Sequence, residues 1–131
     1  MHLCRGNNAG MWMAAGGYES ISKQVFRGAK KYDIFLLEYD SPRAGGFEAL
    51  RFVPKGKLVV LGLISTKVPN LEKVDDLRRR IDEAAKHVSL DQLAISPQCG
   101  FASDVVGNLL SPDDQKRKLE LVVDTARQVW G

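Results

Sequence analysis

Cysteine and histidine are scarce in this chain: two of each in 131 residues. Two cysteines 95 positions apart cannot build the dense disulfide framework of a small secreted domain. Long apolar runs are also lacking. The longest, Leu58 to Ile64, has seven residues and contains a glycine, far too short to span a bilayer. The first eight residues, Met1 to Asn8, hold no apolar stretch of the secretory kind, so a reducing cytoplasm is the expected compartment. Charge of one sign is nearly absent as well. Nineteen basic against sixteen acidic side chains leave +3, too small a surplus to argue for nucleic acid. What remains is an ordinary globular composition, 44% hydrophobic and 27% charged, in a chain of single-domain size.

Short apolar runs alternate with longer amphipathic ones. Ile34-Phe35-Leu36-Leu37, Leu58 to Ile64 and Leu93-Ala94-Ile95 read as strands buried on both faces of a parallel sheet. Between them, Val74, Leu77, Ile81, Ala84, Ala85 and Val88 recur at helical spacing, predicting a helix over 71–88 with Asn70 as N-cap. Ser111-Pro112-Asp113-Asp114 opens a last helix with the apolar stripe Leu119, Val122, Val123, Ala126 and Val129. A further helix is expected over 21–30 and a short one over 47–51. Strands joined through covering helices give an α/β class, either a doubly wound sheet or part of a (βα)8 barrel. A full barrel needs about 250 residues, so the chain holds about half of one. The reading places no strand before His2.

Chemistry in such folds gathers at the C-terminal ends of the parallel strands. Glu38 closes one strand, and Cys99 lies just beyond another in Ser96-Pro97-Gln98-Cys99-Gly100. His2 and Cys4, two apart, project to one side of an extended chain. Imidazole, two thiols and a carboxylate are the ligand types zinc takes in tetrahedral sites. The other reading of the same residues makes the cysteines small buried hydrophobes and Glu38 a strand-end acid paired with a base. Other features read blandly. Arg78-Arg79-Arg80 is a solvated helix face, Gly16-Gly17 lacks a dinucleotide-site context, and Trp12 and Trp130 are packing residues. Arg43 is a candidate for an anionic substrate, with turn chemistry as its alternative.

The segments His2-Leu3-Cys4-Arg5-Gly6-Asn7, Phe35 to Asp40, Arg43 to Glu48, Ile95 to Ser103 and Ala126 to Gly131 resemble the catalytic C-terminal domain of cobalamin-independent methionine synthase. The likeness is to its short single-barrel branch and covers the last three strands and the rim of the one before. The resemblance implies a zinc site formed by His2, Cys4, Glu38 and Cys99. It also implies a homocysteine-like thiol substrate, a methyl donor and methionine as product. One departure touches the donor: where folate-dependent members carry a proton-donating histidine, this sequence has Ile64, which leaves the catalytic proton donor unassigned. Half a barrel leaves sheet edges and an inner face open, so self-association or docking on a complementary half-barrel is expected, with no nucleic acid or membrane partner.

Overall fold

The computed structural model describes residues 1–102 and 105–131; Ser103, the last residue of one motif quoted above, lies outside the described residues. Four parallel strands form one sheet in the order β1 (His2–Leu3), β2 (Ile34–Glu38), β3 (Leu58–Ile64), β4 (Leu93–Pro97). The crossovers carry α1 (Glu19–Gly28) and α2 (Val74–Ala85), and α3 (Pro112–Trp130) follows the last strand. Sequential strands that pair parallel through covering helices are the repeating unit of a (βα)8 barrel. The α/β reading and the partial-barrel architecture therefore stand.

One expectation about β1 is corrected. A two-residue strand does precede Cys4, with His2 beside Leu36 and Leu3 beside Leu37. It is anchored by the Met1 carbonyl, which accepts from Leu36 N–H at 2.8 Å, and by the terminal amine on the Ile34 carbonyl at 2.5 Å.

The core lies on one face of the sheet. Phe35, Leu37, Val59, Leu61, Leu63, Leu93 and Ile95 are buried there, with Phe26 of α1 and Leu77, Ile81 and Ala84 of α2. The expectation that the strands are covered on both faces does not hold for β2. Strand alternation sends Ile34 and Leu36 to the other face, where they are 43% and 39% exposed. Glu38 belongs to that same inner face, yet it is buried, because rim loops close over it.

Helix boundaries shift for identifiable reasons. α2 begins at Val74 rather than near 71, with Lys73 as an N-cap that makes no side-chain bond. The segment before it is held by tertiary bonds instead: Lys118 Nζ donates to the Asn70 carbonyl at 2.6 Å, and Glu72 accepts from Ser65 N–H at 2.8 Å. α1 starts at Glu19 and ends at Gly28, and the short helix is a 3-10 turn over Glu48–Phe52. In α3 the expected capping box is present, with Ser111 accepting from Asp114 N–H at 3.1 Å. Its buried face differs, though. Lys118 and Thr125 are fully buried, while Leu119 and Val123 stay exposed. Arg80 is not a solvated residue of a charged face: it turns inward to the Tyr39 carbonyl and lies over the Phe47 ring at 5.2 Å.

Candidate metal centre

Strand register assembles the site. His2 lies beside Leu36 and Leu3 beside Leu37, so Cys4 falls next to Glu38, and His2, Cys4 and Glu38 share the inner face. Glu38 in turn pairs with Gly62, and Gly62 with Ser96, which brings the β4 rim and its Cys99 loop level with them. A side chain at Gly62 would press on backbone from both neighbouring strands. Its Cβ would stand 3.0 Å from the Leu37 carbonyl and 3.2 Å from Gln98 Cα, so glycine here eases the close approach of the β2 and β4 rims.

The four sequence-predicted residues converge. One ligand atom from each of His2, Cys4, Glu38 and Cys99 lies within 4.8 Å of all the others. The two sulfurs are 3.3 Å apart, Cys99 Sγ is 3.9 Å from His2 Nε2, and His2 Nε2 is 3.6 Å from Glu38 Oε1. Cys99 also donates to Glu38 Oε1. A tetrahedral zinc shell with bonds of about 2.0–2.3 Å puts its ligand atoms roughly 3.3–3.8 Å apart. The donor set is one that ion takes; the separations of 3.3, 3.6 and 3.9 Å lie close to that range, while Cys99 and Glu38 stand nearer, in hydrogen-bond contact. Glu38 is buried while His2 and Cys4 are exposed, so the cluster opens toward solvent on one side.

Two supporting residues were not singled out in the sequence. Gln98 Nε2 donates to Glu38 Oε2 at 3.0 Å, turning Oε1 toward the cysteine and histidine. The Tyr18 hydroxyl accepts from Glu38 N–H at 2.9 Å and lies 3.2 Å and 3.4 Å from the Glu38 and Leu3 carbonyls, tying β1 to β2 below the site. Gln98 sits beside a predicted ligand and could have been suspected. Tyr18 is 20 residues from Glu38, and only folding reveals it.

Electrostatics follow from this geometry. Burial pushes the Glu38 carboxyl up, but hydrogen bonds from Cys99 and Gln98, with smaller help from Arg5 and Cys4, outweigh it and hold the acid below its ordinary range. The Cys99 thiol moves the other way, raised by burial and by its neighbours Glu38 and Cys4. Two adjacent thiols and a carboxylate repel one another as anions. A divalent cation removes that penalty.

The remaining candidates are not members of the four-residue cluster. Ile64 is fully buried and carries no titratable group; its carbonyl accepts from Gln98 N–H at 2.8 Å. Arg43 stands over Trp12, with its guanidinium carbon 4.6 Å from the ring centroid.

Comparison with known proteins addresses the family and the fold. The family model described as the catalytic domain of cobalamin-independent synthase matches residues 28–128. Two Bacillus subtilis (strain 168) relatives, the uncharacterized proteins YxjG and YxjH, are each 50% identical over 131 residues, covering 99% of this chain and 34% of theirs. A Listeria monocytogenes crystal structure, described as a candidate vitamin-B12 independent methionine synthase, superposes with TM-score 0.73 at 33% identity. It is matched over 100% of this chain and 34% of its own. A B12-independent methionine synthase from Shewanella sp. W3-18-1, solved with selenomethionine, shares the fold at TM-score 0.70 and 24% identity, over 98% of this chain and 37% of its own. The chain thus spans about a third of the length of the relatives it matches. By sequence and by architecture it belongs to the cobalamin-independent methionine synthase catalytic-domain family.

Proposed function

We propose that this chain supplies the metal-binding rim of a zinc-dependent S-methyltransferase that methylates the thiol of homocysteine to give methionine. The convergence of His2, Cys4, Glu38 and Cys99 carries this reading. Membership of the methionine synthase family supports the substrate class. Bound zinc would keep the substrate sulfur as a thiolate at neutral pH, where a free thiol, with its pKa of about 8.5, is mostly protonated.

The chain's own residues set the electron density at that sulfur. Two cysteinates and one carboxylate give the donor set three negative charges, one more than a divalent ion neutralises, which keeps a bound thiolate electron-rich. His2, Cys4, Glu38 and Cys99 would hold the ion, and one of the four would give way to substrate. Glu38 is the hardest donor against a soft ion, and Gln98 stands ready to hold its carboxylate as it withdraws. Residue 64 is an aliphatic core residue and offers no proton to a leaving nitrogen, which favours a methyl donor other than a folate, or another alkyl electrophile attacked by the same thiolate.

A cytoplasmic location fits the two free cysteines, and no helix among the described residues is long and apolar enough to cross a membrane. The exposed inner face at Ile34 and Leu36 supports association with a second copy or with a complementary part of a barrel. The deciding experiment measures zinc by atomic absorption, then methionine formed from homocysteine across a panel of methyl donors. One zinc per chain in the wild type, lost in Cys4→Ser and Cys99→Ser, is expected. A wild-type chain that takes up no zinc overturns the reading.

A further inference from the structure

Lys67 is the most unusual side chain at this rim. It follows β3 through Ser65 and Thr66, and it is only 4% exposed. Its ammonium nitrogen is buried and has no hydrogen-bond partner among the described residues. Burying an unpaired ammonium costs several kcal/mol, so such a group calls for a partner.

Its backbone is firmly placed. Asn108 Nδ2 donates to the Thr66 carbonyl at 2.7 Å, Asn7 Nδ2 to Thr66 Oγ1 at 3.4 Å, and Lys67 N–H to Ser65 Oγ at 3.3 Å. Asp40, two residues past Glu38, is close enough to feel the Lys67 charge, yet its own Oδ2 is also unpartnered among the described residues. The two attract each other as charges but share no hydrogen bond, so the Lys67 ammonium keeps its donors unused among the described residues.

What covers Lys67 is aromatic. Its Nζ lies 5.4 Å from the centroid of Trp12, the same ring that Arg43 contacts. Trp12 is 36% exposed and sits between Met11 and Met13, both well exposed. Its loop turns at Gly10 (φ +83°) and Gly16 (φ +117°), conformations that favour glycine. Met13 and Ala14 N–H hold its base on the Arg5 carbonyl, leaving the Trp12 side chain as the movable part. An indole held over a buried cation by an exposed loop can be displaced far more cheaply than a core residue.

We propose that Lys67, capped by Trp12 and flanked by Arg43, binds an anionic oxygen group, a carboxylate or a phosphate. Displacing Trp12 lets the anion reach Lys67 Nζ and supplies the missing charge-assisted hydrogen bonds. Arg43 adds a second cation at the mouth. Because the site shares the strand-end rim with the four-residue cluster, the anion is part of the co-substrate presented to the thiolate; that last assignment rests on the function proposed above, whereas the anion site itself does not.

The test uses the full chain in a Trp130→Phe background, which leaves Trp12 as the sole indole. Inorganic phosphate and, separately, succinate are titrated at constant ionic strength set with chloride, with Trp12 emission as readout. A saturable change is expected for at least one anion. Lys67→Met should weaken it by roughly tenfold or more, the loss expected when one charged hydrogen-bonding partner goes. Arg43→Gln should weaken it less, and Lys67→Arg should retain it. Tighter phosphate binding assigns a phosphorylated co-substrate, and tighter succinate binding a carboxylate one. Circular dichroism confirms that Lys67→Met is folded; if it is not, Lys67→Gln takes its place. No saturable response to either anion, or an equal response in the folded neutral variant, overturns the proposal. Zinc content keeps the two readings apart. Cys99→Ser should lose zinc and keep the anion response, while Lys67→Met should do the reverse.

Discussion

Gln98 Nε2 donates to Glu38 Oε2 at 3.0 Å, and this bond decides which carboxylate oxygen faces the cluster. Glu38 is buried, so without that donor its second oxygen would be left unpaired in a poorly solvated place. Such outer contacts hold ligands in position for a metal, and their loss typically lowers affinity by about 10–100-fold. Gln98→Ala should therefore still bind one zinc per chain, but release it to a competing chelator at a concentration lower by about that factor. An unchanged competition curve would remove Gln98 from the site.

The Tyr18 hydroxyl adds a side-chain tie between β1 and β2 to their backbone ladder. Tyr18→Phe leaves Glu38 N–H without its acceptor in a buried setting, at a cost of about 1–3 kcal/mol. Urea unfolding should show a lower midpoint with an unchanged slope. Because β1 carries His2 and leads to Cys4, zinc affinity should fall in the same variant.

Acid should attack the start of α3. Bonds from the Ser111 hydroxyl and backbone, followed by the charge of Arg117, hold the Asp114 carboxyl below its ordinary range. A carboxyl whose pKa is depressed by folding adds stability above its unfolded value of about 3.9, and that stability disappears as pH falls through the lower folded value. Melting temperatures of wild type and Asp114→Asn should therefore differ at pH 6 and converge as pH falls through the lowered value of the folded carboxyl. Curves that stay parallel down to that value would argue against the capping role.

The open inner face gives a further prediction. Ile34 and Leu36 are exposed on β2, and Leu119 and Val123 are exposed on α3. In sedimentation experiments the chain should run as a concentration-dependent oligomer. Leu36→Lys should shift it toward monomer, since a charge cannot be buried against an apolar partner without penalty. A wild-type chain that stays monomeric at high concentration would refute the association.

Local patterns sufficed wherever the energetics were local. The Ser111-Pro112 start of α3 is legible because a hydroxyl N-cap and a proline at the first helical position act within a few residues. The strands around Leu61 and Ile95 are legible because burial demands unbroken apolar runs, and β2 is legible from the same kind of run although Ile34 and Leu36 are exposed. The four ligand types could also be picked out, since their chemistry is intrinsic to the side chains. Three things were illegible for a common reason. The delayed start of α2 depends on Lys118 reaching the Asn70 carbonyl 48 residues away. β1 exists only because β2 offers it hydrogen bonds, since two residues alone carry no strand signal.

The third is the cluster itself. The sequence by itself determined which side chains are able to ligate a metal, which runs form strands, and which face of each helix is apolar. Only the tertiary structure decided that an imidazole, two sulfurs and a carboxylate drawn from positions 2 to 99 meet within 4.8 Å, and that Lys67 is buried without a partner. Those outcomes depend on parallel register, on close approach across Gly62, and on loops folded over a strand-end rim. All three are set by contacts between residues far apart in the chain, whose energies no local pattern encodes.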